Sequence, residues 1–213
     1  MKFFSRSASH AQRLPVTNVL SLLDNQLLLF LRTWGSAEHN QKFVDEVMHY
    51  LSSTQADLDV TTPFDYQENL SALANRTRVS LLLAHDYFYR NENKNEYLVG
   101  FEATALFCSK GEVAWSSVGR FAVGKIEDDA IRYFFNNGTD LDSECLFPVQ
   151  LIGIEREIDI SSGSMKLENA ERAVVVSNYK NDLVVNLGSK TPESSLEIKN
   201  AEGSCWYSVV TSE

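Results

Sequence analysis

Two hydrophobic rhythms run through this chain, and the change between them divides it. Val19 to Leu23 and Gln26 to Leu31 are short apolar runs around Asp24-Asn25, a pair that tolerates turn geometry. They predict two strands joined by a turn; the second run is also compatible with helix, but its length favours a buried strand. After Gly35-Ser36 the period lengthens, and Phe43, Val44, Val47, Met48 and Leu51 fall on one helical face. Thr62-Pro63-Phe64-Asp65 reads as a second helix start, with a hydroxyl cap, proline at the first helical position and an acid in the first turn. Leu70, Leu73, Ala74, Leu81, Ala84 and Phe88 keep helical spacing to Arg90, and the polar stretch Asn91 to Asn95 ends it.

From Tyr97 onward the runs are strand-like: Leu98 to Cys108, Val113 to Val118, Phe121 to Ile126 and Ile131 to Phe135. Lys110-Gly111, Gly119-Arg120 and Asp128-Asp129 separate them as hairpin or bulge sites. An irregular strand is expected over Leu146 to Ile154 and a β-branched one over Arg172 to Ser177. Thr191-Pro192-Glu193 predicts a short helix around Ser194 to Asn200, and Cys205 to Thr211 a closing strand. Residues 1–15 read as a polar lead-in, flexible over 1–12. Helices and antiparallel strands that segregate along the chain indicate an α+β fold, two packed sheets with helices outside. No repeat or linker interrupts it, so one domain over 1–213 is expected.

Composition narrows the function classes. A chain of 213 residues buries roughly 70% of its unfolded surface, enough for a substantial core. Hydrophobic residues make up 44% and charged ones 23%, a globular rather than disordered balance. A net charge of −10 repels phosphate backbones and anionic lipid, so neither nucleic-acid nor membrane binding is expected. Cys108, Cys145 and Cys205 are too scattered for a metal cluster or a disulfide framework. His10, His39, His49 and His85 share no metal-binding spacing; His49 and His85 read as ordinary helix residues. Met1 to Arg6 lacks an apolar core of signal-peptide length and Leu27 to Leu31 is too short to span a bilayer, so a cytoplasmic location is expected. No Gly-x-Ser-x-Gly, Cys-x5-Arg or phosphate-binding loop is present. An N-terminal nucleophile would require processing at Ser5 or Ser7.

Several strand ends carry the remaining signal. Arg13-Leu14-Pro15-Val16-Thr17-Asn18, Arg32-Thr33-Trp34-Gly35-Ser36, Gly100-Phe101-Glu102, Val118-Gly119-Arg120, Ser177-Asn178-Tyr179 and Cys205-Trp206-Tyr207-Ser208 follow one another in order. This series resembles the metal-dependent Ser/Thr phosphatases of the PP2C family. There the same places read Arg-x-x-Asn-Glu-Asp, Asp-Gly-x-Gly-Gly, Gly-Thr-Thr, Gly-Asp, Ser-Asp-Gly and Asp-Asn-x-Thr. The resemblance spans about Arg13 to Val210 and implies a four-layer αββα sandwich of two antiparallel sheets flanked by helices. It also implies that Asn18, Arg32, Asn178 and Cys205 stand at former metal-site positions. Hard divalent ions take oxygen ligands, and a pair of them would activate water for phosphoester hydrolysis. Asn, Asn and Cys remove charge, and Arg32 adds a positive one where dications would sit. Neither Glu102 nor Asp182 falls on a ligand position.

The expected function is therefore a catalytically inactive PP2C-like pseudophosphatase, a protein-binding or regulatory domain without cofactor. Its partner would be a phosphoprotein, a kinase, a phosphatase or another regulator. The alternative is a divergent, weakly active phosphatase that uses Mg²⁺ or Mn²⁺. Two readings of Arg32 stay open: it fills the vacated pocket and pairs with an anion, or it reaches solvent from the strand end. Arg13 and Arg120 are further candidates for anion or partner binding. Trp34, beside Gly35, is the candidate for a binding surface, whereas Trp115 and Trp206 read as core.

Overall fold

The computed structural model of the chain describes residues 1–8, 15–56, 61–128, 130–136, 150–168, 171–178, 182–186, 191–199 and 205–211. They form two compact units, Pro15–Gly119 with Pro148–Met165, and Met1–Leu14 with Arg120–Phe147 and Lys166–Glu213. The expected class is observed: α+β, with two five-stranded antiparallel sheets and two long helices.

The first unit orders its sheet β2-β3-β4-β5-β8, from Thr17–Leu22, Leu27–Gly35, Val99–Ser109, Glu112–Val118 and Ser161–Lys166. Leu27 to Leu31 are all fully buried, which explains the continuous apolar run of β3: both faces of this strand are covered. Leu27, Leu29 and Leu31, with Phe101, Ala103 and Ala105 of β4, face the helices α1 (Asn40–Ala56) and α2 (Ala72–Tyr87). There Phe101 packs on Phe43 and Phe88, with ring centroids 4.5 and 4.9 Å apart. Each such buried Leu or Phe contributes on the order of 1.5–3 kcal/mol.

Helix α2 starts nine residues later than Pro63 suggested. Ser71 caps it by accepting a hydrogen bond from the Ala74 N–H at 3.1 Å. Buried Asn75 donates to the Gln67 and Leu70 carbonyls and accepts from the Gln67 N–H, which holds residues 67–70 out of helix. The Thr62 hydroxyl accepts from the Phe64 N–H, a local turn with no helix behind it. At its far end α2 runs into a π-helical turn, Phe88–Glu92.

The second unit orders its sheet β1-β12-β9-β6-β7, from Lys2–Ala8, Cys205–Thr211, Arg172–Asn178, Ala122–Glu127 and Ala130–Asn136. The expected lead-in is thus a strand over its first half: Lys2 to Ala8 pair residue for residue with Thr211 to Cys205. Its polar, edge-strand composition carries little periodic signal. The helix expected at Ser194 to Asn200 is instead a 3₁₀ turn (Pro192–Ser194) followed by β11 (Leu196–Lys199). β11 pairs with β10 (Asp182–Val185), and Leu183, Val185, Leu196 and Ile198 cover one face of the sheet. Alternate apolar residues bury better in that hairpin than on a helix. Of the irregular strand expected over Leu146 to Ile154, residues 146–149 lie outside the described residues. Ile152 forms a single antiparallel bridge with Phe101.

Candidate functional site

Arg32 ends the apolar part of β3, and register decides what it meets. It lies opposite Thr17 on β2 and opposite Glu102 on β4, so the three side chains share one face of the sheet, the face away from the helices. Arg32 is 3% exposed and Glu102 is fully buried. The guanidinium Nη1 approaches the Glu102 carboxylate at 3.3 Å, and Nη2 donates to Thr17 Oγ1 at 2.9 Å. Two residues along, the half-buried Trp34 donates its indole N–H to the same carboxylate oxygen at 2.9 Å. Next on this face, Thr104 and Ser117 share a buried hydrogen bond of 2.7 Å.

Gly119 closes the arrangement. Its φ of +93° is unfavourable for a side chain, and a Cβ there would stand 2.5 Å from Glu102 Cγ. The chain turns out of β5 directly against the carboxylate. Glu102 is therefore held from three sides by a cation, an indole N–H and backbone packing.

This corrects the solvent reading of Arg32, whose charge is buried and compensated. It also places Asn18 elsewhere. Asn18 pairs with Leu31, whose side chain lies in the helix-side core, so Asn18 is exposed on the face opposite Arg32. The one-residue offset gives Arg32 the hydroxyl of Thr17 in its place. Arg13 lies outside the described residues. Arg120, just past Gly119, is half-buried.

Asn178 and Cys205 belong to the second unit, where they are register partners across β9 and β12. Cys205 is 2% exposed in an apolar cluster with Val174, Val176, Leu196, Tyr207 and Val209. Burial pushes its thiol up to about 12, so it is neutral at physiological pH. The Tyr207 hydroxyl closes this cluster by donating to the Leu196 carbonyl at 2.8 Å. Trp206, on the alternate side, is buried against Phe121, and Trp115 is buried in the first unit.

These donors do not fit Mg²⁺ or Mn²⁺. A neutral thiol in apolar surroundings is a poor ligand for a hard cation, and the buried carboxylate of Glu102 is already engaged by a guanidinium. Among the described residues, no three His, Cys, Asp or Glu side chains are grouped to hold an ion. No helix among them is long and apolar enough to cross a membrane.

Sequence reasoning missed Glu102 and Thr17 as site residues. Glu102 had a signal, being the only charged residue in the run Leu98 to Cys108. Thr17 had none, because its role depends on strand register.

No family model matches the chain. No curated protein matches it either. Solved structures do. The serine/threonine phosphatase PstP/Ppp of Mycobacterium tuberculosis matches with a TM-score of 0.60 at 10% identity, over 98% of this chain and 97% of that one. PppA of Pseudomonas aeruginosa matches with a TM-score of 0.60 at 9% identity, over 99% and 98%. The PPM Ser-Thr phosphatase MsPP of Mycobacterium smegmatis matches with a TM-score of 0.60 at 11% identity, over 100% and 99%. Across its whole length, then, the chain has the fold of PP2C-type Ser/Thr phosphatases.

Proposed function

We propose that the chain is a PP2C-like pseudophosphatase, a domain that keeps the phosphatase fold for binding or regulation and has given up metal-dependent hydrolysis. The observation that carries this reading is the buried Arg32–Glu102 pair. At the strand end where the resemblance expects the central metal-binding Asp, the chain places a permanent positive charge and supplies a buried carboxylate to neutralise it. A dication brought there would face an arginine that cannot lose its proton. The neutral Cys205 thiol supports the same reading from the second unit.

The role that remains is recognition of a protein partner: a phosphoprotein, a kinase, a phosphatase or another regulator. PppA is described as a key regulatory component of a secretion system, an example of this fold in a regulatory setting. Arg32 is already paired, so recognition would use surface around the pair rather than its guanidinium.

The deciding experiment is hydrolysis of p-nitrophenyl phosphate with and without Mn²⁺, alongside calorimetric Mn²⁺ titration. Neither turnover above the metal-free blank nor binding heat is expected. Mn²⁺-dependent turnover abolished by chelator would overturn this reading in favour of a divergent phosphatase. A partner captured from the native host should stay bound in chelator. Release on chelation would count against metal-free recognition.

A further inference from the structure

His85 lies on α2, far along the chain from the strand-end motifs. It is 6% exposed, and its Nδ1 is engaged by a segment of the same unit. Nδ1 accepts the backbone N–H of Gly153 at 3.1 Å. The nearby backbone of Arg156 favours the charged ring. Acceptance at Nδ1 requires the neutral imidazole protonated on Nε2.

The segment it holds has other anchors as well. Asn93 donates to the Gly153 carbonyl at 2.7 Å, and Ile152 exchanges two backbone hydrogen bonds with Phe101, at 3.1 and 2.8 Å. Leu151 and Ile154 pack on Gly100, where a Cβ would meet them at 2.9 and 2.8 Å. β5 pairs with β4 only from Ala103 onward, so this segment takes over as the neighbour of β4 beyond that point. Phe101, its bridge partner, directly precedes Glu102. The clasp is thus joined by backbone to the strand end that carries the Arg32 pair.

From this geometry we infer that His85 is a pH-sensitive clasp: protonation of Nδ1 sets two donors against each other and releases Leu151–Arg156 from α2 and from the end of β4. The groups that face the ring are Asp86 on the same helix, whose charge favours protonation, and Tyr89, stacked on it with centroids 6.0 Å apart. From the docked segment comes the Arg156 backbone. Burial is the dominant influence and holds the imidazole below its ordinary value, so the clasp is shut at neutral pH. The inference stands whether or not the pseudophosphatase reading holds.

Amide hydrogen exchange on the full chain tests it, as protection factors at about pH 7.5 and about pH 5. The Ile152 and Gly153 amides should lose protection about tenfold or more on acidification, the effect of one pH unit of linked protonation. The His85→Gln variant should hold its protection, whatever its level, constant between the two conditions. Equal wild-type protection at both pH values would overturn the clasp, as would the same loss in His85→Gln. Should that variant fail to fold, the ¹⁵N shifts of the wild-type imidazole decide. A neutral Nε2–H ring titrating below the ordinary histidine range supports the clasp, and titration at or above that range refutes it.

Discussion

Arg32 and Cys205 are the two strand ends at which the resemblance implies a metal-binding carboxylate, and they are built in opposite ways. Arg32 carries a buried charge, and the fold surrounds it with a buried acid, an indole N–H and a hydroxyl. Cys205 carries none, and its side chain lies in an apolar cluster with valines and a tyrosine. The first solution keeps the site polar and demanding: each partner depends on the others. The second makes the position ordinary core, with no partner required beyond packing. The two ends should therefore respond differently to mutation, and the difference is measurable.

Removing Glu102 should produce the largest effect. Glu102→Ala removes the buried carboxylate that pairs with the Arg32 guanidinium and accepts from the Trp34 N–H, a loss of about 3–5 kcal/mol in denaturant unfolding. The double variant Arg32→Met, Glu102→Leu removes both charges and should recover most of that loss. If the single variant costs less than about 1 kcal/mol, the pair behaves like an exposed ion pair and the contrast with Cys205 disappears.

Next comes an acid introduced at the other end. Cys205→Asp puts a carboxyl among Val174, Val176, Tyr207 and Val209, costing about 2–4 kcal/mol by burying a polar group with no designed partner. Mn²⁺ should not raise the melting temperature of this variant. A Mn²⁺-dependent rise would mean that a metal site persists around Cys205, and would break the comparison together with the proposed loss of metal.

Much of this was open to inference from the sequence, and the residues that escaped share a cause. Local periodicity delivered β2, β3, α1, the body of α2, β4 to β7, β9 and β12, because each buries a face with helical or alternating spacing. The early helix start failed at Thr62-Pro63: the cap signature is present, but Asn75 binds the preceding loop from inside the helix, a contact invisible to local pattern. β1, β8, β10 and β11 escaped because short edge or hairpin strands carry too few apolar residues to announce a period. For the site, motif order led to Arg32 but not to its partners. Which residue faces Arg32 is a matter of cross-strand register, and a shift of one residue exchanges Asn18 for Thr17. His85 read as an ordinary helix residue because its backbone partner Gly153 lies 68 positions along the chain.

A gentler way to press on the Arg32 site is from behind. Gly119→Ala would drive a methyl to within 2.8 Å of Glu102 Oε1 and impose a side chain on φ = +93°. Together these should cost about 2–3 kcal/mol and shift the Trp34 fluorescence, because the indole shares that carboxylate. Gly111→Ala is the matched control: it also has positive φ, +79°, but open space around its Cβ, so about 1 kcal/mol is expected with no change in the indole signal. Equal costs at both would show that backbone strain alone acts at Gly119 and that the turn does not press on Glu102.

The smallest effect belongs to Cys205→Ala, and its sign should change with pH. At neutral pH the variant loses a few buried contacts, about 1 kcal/mol. The wild-type thiol, however, is raised by burial from 9.0 to about 12 in the fold, so between those values the unfolded chain ionises while the native one does not. The unfolded state then binds fewer protons, and wild-type stability falls as pH rises through that window. Alanine has nothing to ionise. Chemical denaturation of both proteins in parallel should therefore show the wild-type advantage present at pH 7, shrinking above about pH 9 and reversed by about pH 11. Groups away from Cys205 that titrate in this range affect both proteins alike and cancel in the difference; Tyr133 and Tyr207, which feel the Cys205 charge, do not cancel fully. A gap that stays constant with pH would mean that Cys205 ionises as readily in the fold as out of it. The second strand end would then be wet and polar, and its contrast with the Arg32 site would be lost.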